Sequence, residues 1–373
     1  MQAPIFVDTL EWYRTDYFQA RIKDAPERRR IAELFDLFAQ NQRLDRTLAR
    51  DYLEQALTLA QGEQGHPYWE LLLSYWKYTL SHSGIGDVDA AVRLFMLANR
   101  PNYRDCPMVG RVYAALIDAY VWSDPISYAE EIRQAIDYTL ENVPLDQNTF
   151  QRMILAKSRM HYELNEAELT LESANLLLQH SEGNPADRIN AHLLLAQANI
   201  LLESYDAAFM NASLAHDVAS EEAFRDFQRA ALTVQAAVLA YQDQWSSASV
   251  VRHQMRELDW QGAKWLDLAF DAEVAYWRER KDIWSKFATL RFTNQVLNYY
   301  LKQDQAYWIC RARYDLIVAL LDIPVWLRWL YRWALDIAPL KEQVQLAEEN
   351  ANHLKDKTWY LHRLRKIASE YMS

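Results

Sequence analysis

The sequence predicts an all-α protein built from repeated helical hairpins, and three observations carry that expectation. Glycine is scarce: seven in 373 residues, about 2% against a usual ~7%, which leaves little material for hairpin turns or phosphate-cradling loops. Ala, Leu, Gln, Glu and Arg outnumber Val and Thr, and they favour helix because their side chains lose little rotamer freedom there. Thirdly, one pattern of small residues returns at a near-constant step along the chain. A hydrophobic content of 51% supplies ample material for a core.

The pattern is seen in ESYDAAFMNASLAHDVA, residues 203–219, where Ala208, Ala212 and Ala215 share one helical face. The same spacing gives Ala49-x3-Leu53-x2-Ala56, Ala91-x3-Phe95-x2-Ala98 and Ala167-x3-Leu171-x2-Ala174, with weaker copies beginning at Ala129 and Ala248. The leading alanines stand at 49, 91, 129, 167, 208 and 248, in steps of 42, 38, 38, 41 and 40 residues. A fixed step of this size signifies stacked supersecondary units rather than separate domains. Each unit has a preceding helix, such as 108–122 or 189–202, joined to the alanine helix by a short loop. Small residues recur in the second helix because it packs against helices on two sides, and helix separation follows the side chains at the contact.

At this point the chain resembles the tetratricopeptide repeat family, whose helix-turn-helix unit carries a W-x2-L-G-x2-Y…A-x3-F pattern. Tyr113-x2-Leu116-Ile117-x2-Tyr120 matches its first helix, Ala91-x3-Phe95-x2-Ala98 its second, and Leu195-Ala196 followed by Tyr205-Asp206-Ala207-Ala208 a full unit. The steps exceed the family's 34 residues. The resemblance implies an α-solenoid over residues 32–258. Residues 1–31 then form an N-terminal helical segment, and 259–373 an aromatic-rich C-terminal helical cap or subdomain, beginning with one more hairpin near 260–287. It also implies a concave groove lined by the first helices. By register its residues are Arg111, Asp118, Trp122, Lys157, His161, Asn190, Gln197, Thr233 and Tyr241.

Charge and motif content narrow the function. Forty basic against 51 acidic residues give a net −11, which argues against a general nucleic-acid or anionic-membrane coat. The acidity is uneven: residues 277–373 carry 16 basic and 11 acidic residues, the remainder 24 and 40. Cys106 and Cys310 are far apart and in no CxxC pair, so neither a disulfide framework nor a thiolate zinc site is indicated, and a cytoplasmic setting is expected. No secretory signal is visible at the start, and the most apolar stretch, 318–340, is interrupted by Asp322, Arg328, Arg332 and Asp336, so no membrane span is expected. The glycine pair in GIGD (84–87) reads as a turn. No nucleotide, metal or nucleophile motif stands out among the nine histidines and the acidic pairs, so no catalytic, cofactor or metal site is expected.

Two features rise above this background. In PVWLRWLYRWALDI (324–337), Trp326, Trp329, Leu330, Trp333 and Ile337 lie on one face, while Arg328 and Arg332 form a separate stripe, with Arg332 one turn from Asp336. Such a face is either the buried side of the cap or a partner-docking surface built from Trp and Arg, the residue types enriched in interface hot spots. The second feature is basic: KDKTWYLHRLRKIASEYMS at the C-terminus, with YWRERKDIWSKFATLRF at 276–292, reads as a solvated helix end or as a single-strand nucleic-acid surface. The leading expectation is a non-enzymatic scaffold, adaptor or regulatory subunit that binds another protein or peptide. A peptide- or ligand-sensing regulator and a nucleic-acid-associated subunit are the alternatives.

Overall fold

The computed structural model describes residues 26–41, 46–61, 67–82, 86–103, 106, 108–143, 145–258 and 282–372. Most of the expected N-terminal segment, and residues 260–281 of the expected further hairpin, lie outside them. Seventeen α-helices and one short 3-10 helix form among the described residues, with no strand. The chain divides into two compact units, 1–157 and 158–373. That boundary falls inside the stretch read as continuous repeats.

In the first unit, α1 (Pro26–Asn41), α2 (Arg46–Gln61), α3 (Pro67–His82), α4 (Val88–Ala98), α5 (Val109–Ser123) and α6 (Ala129–Asn142) each pack on the next in sequence. Ile31, Leu34 and Phe38 of α1 share one core with Leu53 and Ala56 of α2, Leu71 to Leu73 of α3 and Ala91 of α4. Three aspartates cap a helix or close the turn before one. Asp87 accepts the Ala90 N–H at 2.8 Å to cap α4, Asp124 accepts the Ser127 N–H at 3.0 Å, and Asp146 accepts the Thr149 N–H at 2.6 Å. Among the described residues, Gly86 is a place where this unit needs glycine. Its φ is +74°, and a Cβ there would lie 2.7 Å from the Ser123 backbone nitrogen. The described half of GIGD is therefore a turn pressed against the end of α5.

Helix α7 (Gln147–Glu163) runs across the division, and the second unit continues through α8 (Ala167–Gln179), α9 (Pro185–Leu201), α10 (Tyr205–Glu221), α11 (Arg225–Tyr241) and α12 (Trp245–Glu257). Helices α9, α10 and α11 are seventeen residues each, with three-residue turns between them, so one hairpin and its links occupy forty residues. The near-forty step is thus made of seventeen-residue helices and three-residue links. Helix α10 packs on both α9 and α11, and α9 also touches α11. The opening pattern explains how. Ala208, Ala212, Ala215 and Ala219 are all 0% exposed and share a core with Ile189, Leu193 and Ala196 of α9 and Ala230, Ala231 and Val234 of α11.

The turns carry a second repeated device. At the ends of α7, α9, α10 and α11, Asn165, Glu203, Ala223 and Asp243 adopt φ between +56° and +61°. Each is followed by an N–H that reaches back to a carbonyl five residues earlier: Glu166 to His161, Ser204 to Asn199, Phe224 to Ala219 and Gln244 to Leu239, at 2.8–2.9 Å. These are Schellman stops, which usually place glycine at the left-handed position. Here none does. The left-handed residues inside the hairpins, 165, 203 and 243, repeat the near-40 step of the alanines.

The remaining helices of this unit are α13 (Ile283–Gln303), α14 (Ala306–Asp322), α15 (Val325–Leu335), α16 (Leu340–Ala351) and α17 (Thr358–Met372). Helix α14 is their centre, packing on α13, α16 and α17. Its buried Arg313 donates from Nε to Asn350 Oδ1 at 2.8 Å and from Nη1 to Gln343 Oε1 at 2.6 Å, while the Tyr360 hydroxyl donates to the Cys310 carbonyl at 2.8 Å. The group also reaches back along the chain. Glu163, at the end of α7, accepts from the Tyr307 hydroxyl at 2.8 Å and from Arg311 at 2.9 Å.

A non-glycine residue in the left-handed region costs roughly 1–2 kcal/mol, while glycine adds about 0.4–1 kcal/mol of unfolded-state entropy. Ala223→Gly and Glu203→Gly are therefore each expected to raise Tm by about 1–4 °C in thermal denaturation. Asp243→Gly should gain less, since Asp tolerates this conformation better. A fall in Tm for Ala223→Gly would contradict the account.

Candidate interaction surfaces

Helix α15 follows Pro324, which stops α14 and fixes the entry to the next helix. Only Leu327 and Tyr331 of its side chains are buried. Tyr331 stacks edge-on against Phe287 of α13 at 4.9 Å and donates to the Ile283 carbonyl at 3.2 Å. With that side inward, the other faces water: Trp326 is 66% exposed, Trp329 65% and Trp333 80%, with Val325 and Leu330 beside them. The Ile283 carbonyl contact brings the start of α13 alongside, where Trp284 is 79% exposed. The tryptophan face is thus a surface of the described structure, not the buried side of a cap.

Ile337 does not belong to that face. The helix ends at Leu335, Asp336 turns left-handed at φ +53°, and Ile337 swings inward to 5% exposure in the α13–α14–α15 core. The two arginines also turn inward. Arg328 donates to the Leu321 and Ile323 carbonyls, both at 2.9 Å, and so caps the C-terminal end of α14. Arg332 donates to the Ile337 carbonyl at 3.2 Å rather than pairing with Asp336. Their guanidinium groups hold the helix in place from behind while the indoles project. The packing of α15 against the start of α13 was not legible in the sequence, because the Tyr331–Ile283 bond joins residues 48 apart.

The expected groove residues divide between the two units. In the first, Arg111 pairs with Asp146 at 2.9 Å, Asp118 pairs with Arg152, which also donates to the Tyr75 hydroxyl at 3.1 Å, and Trp122 and Lys157 are half-buried. In the second, His161 is buried with Nδ1 2.6 Å from Glu166, Thr233 is buried against Met255, and Tyr241 stacks on Tyr205 at 5.7 Å. Asn190 and Gln197, both on α9, are half-buried, and neither side chain has a hydrogen-bond partner among the described residues. Register therefore placed several internal packing and ion-pair residues on the expected groove.

At the basic C-terminal end, Lys355, Lys357, Arg363, Arg365 and Lys366 are exposed. The aromatic rings among them face inward: Tyr360 is buried, and Trp359 packs on Tyr307 at 5.9 Å with Arg363 over its ring. Residues 276–281 of the second basic stretch lie outside the described residues. Among the described residues, no group of three His, Cys, Asp or Glu side chains is placed to hold a metal ion, and no helix is long and apolar enough to cross a membrane. Burial pushes the Cys106 thiol up to about 12, which keeps it from forming a thiolate at neutral pH. The chain matches no family model and none of the curated proteins with which it was compared.

One histidine couples the hairpin core to pH. His192 lies half-buried with Nδ1 3.2 Å from Asn211 Oδ1, and burial pushes its pKa below 6.5, helped by Arg188 one turn earlier and opposed by the Asn211 bond. As pH falls through about 6.5 the unfolded chain takes up this proton before the folded one, so stability is lost from there down toward the lowered folded pKa. Between pH 7.5 and 5.5, His192→Gln is expected to lose less Tm than the wild type. Parallel losses in the two proteins would show that His192 carries none of the effect.

Proposed function

We propose that this chain is a non-enzymatic interaction protein, a scaffold or regulatory subunit. Its hairpins form a solenoid like that of the tetratricopeptide repeats, and its α15 tryptophan face docks a partner protein. The observation that carries the reading is the exposure of Trp326, Trp329 and Trp333 on one face of α15. Trp buries about 150–250 Å² when covered, so these three at their exposures offer on the order of 300–500 Å² of apolar surface. That alone is the size of the largest patch of a typical monomer, about 300–600 Å² and often functional. Trp is also the residue type most enriched at energetic centres of interfaces, where it combines large area with few rotatable bonds.

The solenoid part of the reading is supported by the forty-residue spacing of hairpins α9/α10 and α11/α12, and by the direct contact between their first helices, α9 and α11. Asn190 and Gln197 give α9 a second surface. Each amide offers both donors and an acceptor, the complement of an extended peptide backbone.

The test is purification of the tagged full chain at low and high salt, alongside the Trp329→Ala/Trp333→Ala variant. A stoichiometric protein retained with the wild type at high salt and lost with the variant is expected. Exposed substitutions shift stability by about 0.5 kcal/mol or less, so the variant's Tm should stay within about 2 °C. A collapse of Tm, or retention of the partner by the variant, would overturn the docking role.

A further inference from the structure

We infer that the partner of the α15 face is a second copy of this chain, paired antiparallel across a two-fold axis that passes between Trp329 and Leu330. The step rests on reading this face as a docking surface and adds its occupant. An isologous interface must be complementary to itself, so each residue on it meets a mate set by the symmetry. The exposed apolar positions of α15 meet that demand by their order alone. Trp326, Trp329, Leu330 and Trp333 are symmetric about the 329/330 midpoint, so an antiparallel mate places Trp326 opposite Trp333 and Trp329 opposite Leu330.

The area agrees. With Val325 and Leu330 added to the three tryptophans, the α15 face offers roughly 500–700 Å² from each copy, about 1,000–1,400 Å² in all. A specific interface clears about 1,000 Å² in total.

The charges agree as well. Asp336, exposed and immediately past the C-terminal end of α15, has no side-chain partner among the described residues. The same symmetry brings it level with Ile323 of the mate, just ahead of the first turn of the mate's α15. That turn starts at Pro324 with no side-chain cap, so its first N–H groups are open to a carboxylate, which a helix N-terminus favours. Arg328 and Arg332 are engaged with carbonyls of their own copy and do not oppose their mates across the axis.

The full chain is to be measured by light scattering during size exclusion over a micromolar concentration series. A molar mass tending to twice the 43.9 kDa of one chain is expected. Trp329→Asp/Leu330→Asp, which sets like charges on the axis, should halve that mass with Tm unchanged. Asp336→Asn should weaken self-association about fivefold, from two helix-end contacts of modest strength. Position of the axis is read independently by cysteine. Leu330→Cys should link to its own mate under mild oxidation and Trp326→Cys should not, and both native cysteines are buried. A wild-type chain that stays monomeric overturns the inference, as does a dimer that survives the aspartate pair. Loss of a different, captured protein on Trp329→Ala/Trp333→Ala in such a monomer would leave the docking surface standing while excluding the second copy. A Tm collapse of the aspartate variant together with a failure of Leu330→Cys to link would overturn both.

Discussion

The second unit depends on how closely its helices approach at α10. A helix that packs on neighbours to both sides has no free face on which to carry bulk, and Ala208, Ala212, Ala215 and Ala219 meet that limit with zero exposure. Interaxial distance follows the side chains at the contact. With alanine at the seam, larger residues of α9 and α11, such as Ile189, Leu193 and Val234, complete the same core. The direct contact of α9 with α11 requires α10 to be thin at this point. Hydrophobic burial here comes from neighbours closing around a small-residue axis rather than from large side chains of α10 itself.

Closure over such a short span needs turns as tight as the packing. Three residues separate α9 from α10, α10 from α11 and α11 from α12, and each turn reverses the chain through one left-handed residue. The chain meets this geometry almost without glycine, using Glu203, Ala223 and Asp243, and accepts backbone strain in exchange for less entropy lost on folding. Scarcity of glycine therefore identified the helical class correctly but did not mean that tight turns were lacking.

The all-α class and the near-40 step were legible because both arise from local, repeated constraints: rotamer freedom, and the need for small residues at one position per unit. Left-handed turns were not, since Asn165 and Ala223 share no residue type and are specified by the reversal of the helices around them. Nor was the groove. Arg111 and Asp118 meet Asp146 and Arg152, more than thirty residues away, and register alone does not reveal such partners. At α15 the ambiguity has a physical origin: a core stripe and a surface stripe leave the same i, i+3, i+4, i+7 pattern in sequence. What separates them is the opposite side of the helix, where Leu327 and Tyr331 supply the packing and Arg328 and Arg332 fasten the ends. The proposed docking role rests on that division, because a face freed from core packing and held rigid from behind would lose little entropy on docking.

The central physical claim, that α10 must be thin, is tested most directly by thermal denaturation of Ala212→Leu beside Leu214→Ala. Ala212 is fully buried between α9 and α11, whereas Leu214 is 41% exposed on the same helix. Enlarging a filled seam costs about 1–3 kcal/mol, so Ala212→Leu is expected to lower Tm by several degrees even though leucine is a good helix former. Leu214→Ala should change stability by only about 0.5 kcal/mol. An Ala212→Leu protein as stable as the wild type would contradict the claim, since it would mean that the seam has room to spare and that something other than helix approach holds the hairpins together.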